Sequence, residues 1–407
     1  MTKSLKAIVV NTSSSGSRLG GAAIAAEWHS RLLAERIPIE LWRMWDRDSL
    51  EQVGPLSIRN FNSNIPLRWI GSRLPRHAQA LLLRSRIPEE LLRVRPPIIH
   101  LQNPGPPFEF LRIAKKCKEQ GMRVVASTHG FYEIFTPNYA LNHFQRFLWP
   151  FLISRPIERA CRYVDAFVSG YPEEKELLLG IGVPLEKIHL VPNGVNPFFQ
   201  LSPNESEIGK VLNKFQLDAD RPILLYMGNH TSNKGIDAVI RMASRLDVPT
   251  TLVIGGKLRN QKAPEQWRSM ISKTSPLKLV VSDYLSIEEQ RVIYGISTAL
   301  IFPSMADTLP LTILEAMACG LPVIAYRTGG IPFQLENDCG IVVPQGDEEA
   351  LFEETRGLLL SNEKRRRIRE NAKSRQRRIF TWELAAAKTI KIYEDLIQAS
   401  TFVETKS

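Results

Sequence analysis

Short apolar runs alternate with amphipathic segments along nearly the whole chain, and the alternation is played out twice. In the first half, residues 6–11, 37–42, 97–102, 123–128 and 165–170 are apolar runs of strand length. A polar, glycine-rich loop (residues 12–21) follows the first run, and AAIAAEWHSRLLAER then has helical spacing. Strand, glycine-rich turn and helix in that order open a doubly wound sheet. Further helical patterns cover residues 107–120, 139–163 (with Pro150 as a kink or break) and 173–182. The run IHLVPNGVNPFF (residues 188–199) reads as a strand ending in a turn, and places the domain boundary near Asn196 to Asp220.

The second half starts again. Residues 221–229, 250–256, 277–285, 298–304 and 322–326 read as strands, separated by helices over 233–246, 286–296 and the segment after Pro310. Helices over 348–360, 362–378 and 380–397 close the chain. The expected fold class is α/β with two Rossmann-like domains: residues 1–198, residues 199–378, and a C-terminal helix in 379–407.

The run FPSMADTLPLTILEAMACGLPVIAYRTGGIP (residues 302–332) is the richest in candidate chemistry. Pro310 stands at a helix start and Gly320 at its stop. A helix N-terminus offers unbonded N–H groups and a positive dipole end, which suit phosphate. Asp307 lies just before that terminus and Glu315 two turns along. At ~1.5 Å rise per residue the two carboxylates are about ten ångströms apart, so they could hold two hydroxylated ends of one long ligand. The ordinary alternative makes Asp307 an N-cap and Glu315 a solvent-facing helix residue.

The loop GNHTSNKG (residues 228–235) also runs from a strand into a helix, and Lys234 at its mouth suits a diphosphate. Standing alone, it would read as a solvent lysine in a loop. Gly20 and Gly21 could let a ligand approach the backbone, although no G-x-G-x-x-G follows the strand. Arg18 in that loop is either an anion contact or surface. His129 ends a strand, a place where a histidine is commonly structural. The other six histidines lack metal-ligand spacing, and neither His-Glu-x-x-His nor Gly-x-Ser-x-Gly occurs.

Composition narrows the classes. The 407 residues suffice for two cores, with a 43% hydrophobic and 23% charged content usual for globular proteins. Four scattered cysteines argue against a disulfide framework or zinc site. No run approaches a membrane span or a signal peptide, so a cytoplasmic protein is expected. The net charge of +11 suggests an anionic partner. Between Arg59 and Arg95 stand eight arginines and two acids among interleaved apolar residues. That stretch either lies peripherally on an anionic membrane face or is a solvated insertion. No nucleic-acid module is visible.

LEAMACGLPVIA, followed by TGGIP and GIVVPQGD, resembles the signature of the family 4 retaining glycosyltransferases, and the likeness covers nearly the whole chain. The resemblance implies a GT-B fold, two Rossmann-like domains facing across a cleft, with the C-terminal helix crossing back to the first domain. It implies a nucleotide-diphosphate sugar as donor and a saccharide or lipid-linked acceptor. Polysaccharide or glycolipid assembly, with no metal and no cofactor, goes with it. Glu315 is then the ribose-binding carboxylate, Asp307 and His129 contact the transferred sugar, and Lys234 holds the diphosphate. Gly20, Gly21, Asn229, Thr308, Leu309, Pro310 and Leu311 complete the donor site. Three departures stand out: Asp307 where Glu is common, Asn229 where Arg is common, and Phe333 where Glu is frequent. A catalytically weak partner subunit, an epimerase or a phosphorylase on the same fold are the alternatives. The aromatic run FLWPFLI (residues 147–153) fits a lipid-linked acceptor or ordinary packing equally.

Overall fold

The computed structural model describes residues 6–12, 20–65, 79, 81–136, 143–258 and 260–404. The chain divides into two compact units, Met1–Gly194 with Trp382–Ser407, and Val195–Thr381.

The first unit is built on an eight-stranded sheet: β1 (Ala7–Asn11), β2 (Ile39–Trp45), β3 (Ser49–Val53), β4 (Leu56–Asn62), β5 (Ile98–Leu101), β6 (Arg123–Ser127), β7 (Ala166–Ser169) and β8 (Ile188–Leu190). Their spatial order is β3-β4-β2-β1-β5-β6-β7-β8. Every pairing is parallel except β3 with β4. The central strands are buried on both faces, which is why they read as unbroken apolar runs rather than alternating ones.

The β3–β4 hairpin lies where no strand was expected; it takes in residues 59–62 of the basic stretch 59–95, of which residues 66–78 and 80 lie outside the described residues. Ser49–Val53 is largely exposed and carries no apolar run. The hairpin is held instead by a buried polar cluster: the Arg43 guanidinium, 5% exposed, donates to Asn60 Oδ1 at 2.9 Å and pairs with Glu27 and Glu51, each at 3.2 Å. Arg59 lies over the Trp42 and Phe61 rings and pairs with Glu90 at 3.7 Å. Arg86 pairs with Asp48 and Arg93 with Glu90. The described arginines of this stretch are thus largely spent on neighbours of their own unit.

Pro150 does break its helix, through a π-helical turn over Pro150–Ser154 between His143–Trp149 and Arg155–Cys161. At the far end of the chain, the Trp382–Glu404 helix packs on the Gly21–Ala34 helix of the first unit. It buries Ala385, Ala386, Thr389, Ile392 and Tyr393 at helical spacing.

The second unit has six parallel strands: β9 (Ile223–Met227), β10 (Thr251–Gly255), β11 (Lys278–Ser282), β12 (Ala299–Phe302), β13 (Val323–Tyr326) and β14 (Ile341–Val343). The order β11-β10-β9-β12-β13-β14 reverses direction between β9 and β12, and ligands of such sheets bind at the strand ends beside that switch point. The unit begins four residues before the expected boundary. The Phe199 ring packs on Tyr294, and its carbonyl accepts from Cys319 Sγ. It also retains Phe380, whose ring meets Phe333 and whose carbonyl accepts from Gln376 Nε2. Helices over Glu205–Phe215 and Ala263–Ser269 were not expected.

Candidate functional site

Three loops at the carboxyl ends of β9, β12 and β13 are locked together in the second unit. Gly235 has φ +69°, and a Cβ there would fall 2.3 Å from the Pro303 carbonyl oxygen. Gly329 has φ +47°, and a Cβ there would fall 1.9 Å from the Asp307 carbonyl oxygen. Only glycine fits either place. The Met305 N–H donates to the Asn233 carbonyl at 2.8 Å, and the Gly330 N–H to the Thr308 carbonyl at 2.7 Å. Gln334 Nε2 reaches the Pro310 carbonyl at 3.0 Å.

This interlock brings Lys234 to Asp307. Nζ donates to Asp307 Oδ2 at 2.6 Å and to the Ala306 carbonyl at 3.2 Å. Both side chains are less than a fifth exposed. An ammonium carries three N–H groups, so one remains for a ligand. The Leu311–Cys319 helix starts four residues later with Pro310 at its N-cap, no side-chain cap and no acid in its first turn. Its positive end is therefore not neutralised from within the helix. Asp307 is an ion-pair partner rather than an N-cap. Leu309 and Pro310 are buried, and Pro310 has no N–H to offer.

Glu315, two turns along, is half-buried rather than turned fully out to solvent. Its Oε2 accepts from the Tyr294 hydroxyl at 3.0 Å. Desolvation pushes its pKa up to about 7, against the pull of the Tyr294 bond. The structure pairs Lys234 with Asp307 just before the 308–311 segment, and places Glu315 in the following helix with a separate partner. Tyr294 was missed in the sequence, since nothing in the spacing of residues 294 and 315 links them. Asn229 is exposed, and its carbonyl accepts from the Thr231 N–H at 3.0 Å and the Tyr226 hydroxyl at 3.3 Å. Phe333, by contrast, is buried under Arg375 and against Phe380.

In the first unit, Gly20 caps the Gly21–Ala34 helix, its carbonyl accepting from the Ala23 and Ile24 N–H groups. Both glycines are exposed, and among the described residues a Cβ at either would meet no atom within 4 Å. Arg18 lies outside the described residues. His129 follows β6 and precedes Gly130 at φ +85°. Burial lowers its pKa to about 4.

Other groups in this unit left no signal in the sequence pattern. His100 bonds Tyr393 through Nδ1 at 2.6 Å and Ser127 through Nε2 at 2.8 Å. His29 bonds Thr389 at 3.0 Å and stacks on Trp382. Burial holds His29 down to about 4 and His100 well below its ordinary value. Glu174 is fully enclosed behind the 128–130 turn. Among the described residues, no three His, Cys, Asp or Glu side chains cluster as metal ligands.

Two family models match consecutive parts of the chain: Glycosyltransferase Family 4 over residues 20–198, and Glycosyl transferases group 1 over residues 208–375. The chain is 28% identical over 236 residues to the D-inositol 3-phosphate glycosyltransferase of Xylanimonas cellulosilytica, covering 56% of either protein. It is 25% identical over 319 residues to the sulfoquinovosyl transferase SQD2 of Arabidopsis thaliana, covering 76% of this chain and 58% of that one. The matches thus span little more than half the length of these curated relatives. Among solved structures, sucrose-phosphate synthase from Thermosynechococcus elongatus superimposes with a TM-score of 0.74 at 19% identity, over 97% of this chain and 100% of that one. Anabaena Alr3699/HepE in complex with UDP gives 0.73 at 14% identity, over 96% and 100%.

Proposed function

The chain belongs to the group 1, family 4 glycosyltransferases of the GT-B type, and from that premise we propose that it transfers a sugar, with retention, from a nucleotide-diphosphate sugar to a hydroxyl acceptor. One observation carries this reading: the half-buried Lys234–Asp307 pair set directly before the uncapped Leu311–Cys319 helix. Lys234 and the first N–H groups of that helix receive the diphosphate. Asp307 keeps the ammonium in place and accepts a hydroxyl of the transferred sugar. Glu315, aimed by Tyr294, binds the ribose hydroxyls, and His129 positions the sugar.

In the reaction the bond from the anomeric carbon to the diphosphate oxygen breaks first. Its electron pair leaves with the diphosphate, where Lys234 and the helix end stabilise the charge. The acceptor oxygen then attacks the oxocarbenium-like carbon from the same face, and the departing phosphate takes its proton. Asn229 brings no charge, so Lys234 is the principal cation of this site in the proposed reading.

Phe144, Phe147 and Phe151 are 70%, 68% and 49% exposed on the segment that ends in Arg155, itself over the Phe151 ring. Exposed aromatics beside arginine suit an anionic lipid surface and support a lipid-linked acceptor. Among the described residues no helix is long and apolar enough to cross a membrane.

A thermal-shift screen with UDP, ADP and GDP and their glucose and mannose conjugates tests the donor assignment. At least one should raise Tm in the parental chain, since a ligand that binds only the native state stabilises it. The shift should vanish in Glu315→Ala. A screen in which no member of the panel shifts Tm speaks against the assignment.

A further inference from the structure

We propose that Glu174 is a positioning residue: its buried carboxylate clamps the turn that presents His129, and so sets the direction of that imidazole. The inference rests on the reading above that His129 meets the transferred sugar.

Glu174 is 1% exposed and opens the Glu174–Gly180 helix, yet its side chain turns back to the carboxyl edge of the sheet. Oε2 accepts from Thr128 Oγ at 2.5 Å, Ser169 Oγ at 2.9 Å and the Gly170 N–H at 3.1 Å. Thr128 immediately precedes His129. Ser169 and Gly170 end and follow β7, the strand paired with β6. One carboxylate oxygen therefore ties together the ends of two adjacent strands.

His129 has little freedom between its neighbours. The Thr128 N–H donates to the Val168 carbonyl at 3.1 Å, and the Phe131 N–H to the Thr128 carbonyl at 2.9 Å. Gly130, left-handed, reverses the chain between them. Ser127, on the other side, is held by His100. His129, Ser127 and Gly170 line one small cavity together with His29 and Trp382, so the clamp's two strand ends bound the space behind the imidazole.

A carboxylate placed only for stability makes little sense here. Among the described residues Oε1 has no hydrogen-bond partner, and burying a carboxylate that is half-satisfied is unfavourable. Both hydroxyls have carbonyls to turn to, Thr128 to Val168 at 3.3 Å and Ser169 to Tyr171 at 2.9 Å. Without Glu174 the two hydroxyls would still be satisfied, but the Gly170 N–H would lose its acceptor and the strand ends would be joined only through the Val168 carbonyl.

The test needs no donor. In the full chain labelled with 15N-histidine, the His129 ring signals are identified by their loss in His129→Gln. Glu174→Gln keeps shape and one acceptor oxygen. Thr128→Val removes the bridge at nearly constant volume and leaves the Glu174 carboxyl group in place. Both should shift the His129 ring signals and leave those of His143 and His189 in place. Unmoved His129 signals in either folded variant overturn the inference, and should Glu174→Gln not fold, Thr128→Val decides.

Kinetics add the link to function. Glu174→Gln should lower kcat about tenfold with donor KM nearly unchanged, and should add nothing in a His129→Ala background. An equal loss in both backgrounds also overturns the inference. If His129→Ala itself transfers sugar at the parental rate, the reading of His129 fails, whatever the spectra show of the clamp.

Discussion

At the scale of single residues the site is defined by what glycine permits and by where charges are counted. Gly329 touches the backbone of Asp307 so closely that a methyl group must push the 303–310 loop off its place. Gly329→Ala should therefore destabilise the second unit by about 2–4 kcal/mol, read by denaturant unfolding, and weaken nucleotide binding with it. Glu315 illustrates the opposite trade. Its folded pKa, about 7, lies above its ordinary value of 4.5, so folding favours the protonated form. The stability it lends is present below pH 4.5 and lost as pH rises through 7. Glu315→Gln, which can still accept the Tyr294 hydroxyl, should melt higher than the parental chain at pH 8 and show a flatter pH dependence, while losing donor binding. A lower Tm at pH 8 would contradict this. Lys234, Asp307 and Glu315 were readable as candidates because they sit in a dense motif. Tyr294 was not, because its hydroxyl meets Glu315 only through the packing of two helices.

At the scale of elements, the Trp382–Glu404 helix is fastened to the first unit by polar bonds as well as by its apolar face. Thr389 bonds His29 and Tyr393 bonds His100, all buried. Tyr393→Phe leaves His100 Nδ1 without its partner and should cost about 1–3 kcal/mol, measured by denaturant unfolding at pH 8. The histidines also set a pH limit. The folded values of His29, His100 and His129 lie below the ordinary 6.5, so the fold favours their neutral forms. Their contribution is complete above pH 6.5 and is lost at lower pH, for His29 and His129 as pH falls towards 4. Thermal melts of His29→Gln/His100→Gln between pH 7 and 5 should show a smaller loss than the parental chain. A loss as steep as the parental one would refute the assignment.

Both parallel sheets were legible, because strands buried on two faces, such as Ile223–Met227, leave unbroken apolar runs. The β3–β4 hairpin was not. Its stability comes from Arg43, Glu27, Glu51 and Asn60, a cluster whose members stand up to 33 positions apart and carry no periodic signal. Charged residues there look like surface until the fold brings them together.

At the scale of the whole molecule, two α/β units of Rossmann type account for the family membership, and the second holds the residues on which the proposed chemistry turns. The N-terminal unit contributes the exposed phenylalanines. Sedimentation with anionic liposomes should fall when Phe147 and Phe151 are both replaced by Ser, and fall again at high salt. Equal sedimentation by parental and variant chains would remove the lipid contact from the account. The most direct measurement is sugar transfer by purified Lys234→Ala, with the donor chosen by the thermal-shift screen. The account predicts a fall in kcat of about a hundredfold or more with Tm within a few degrees of the parental value. Transfer at the parental rate would contradict it.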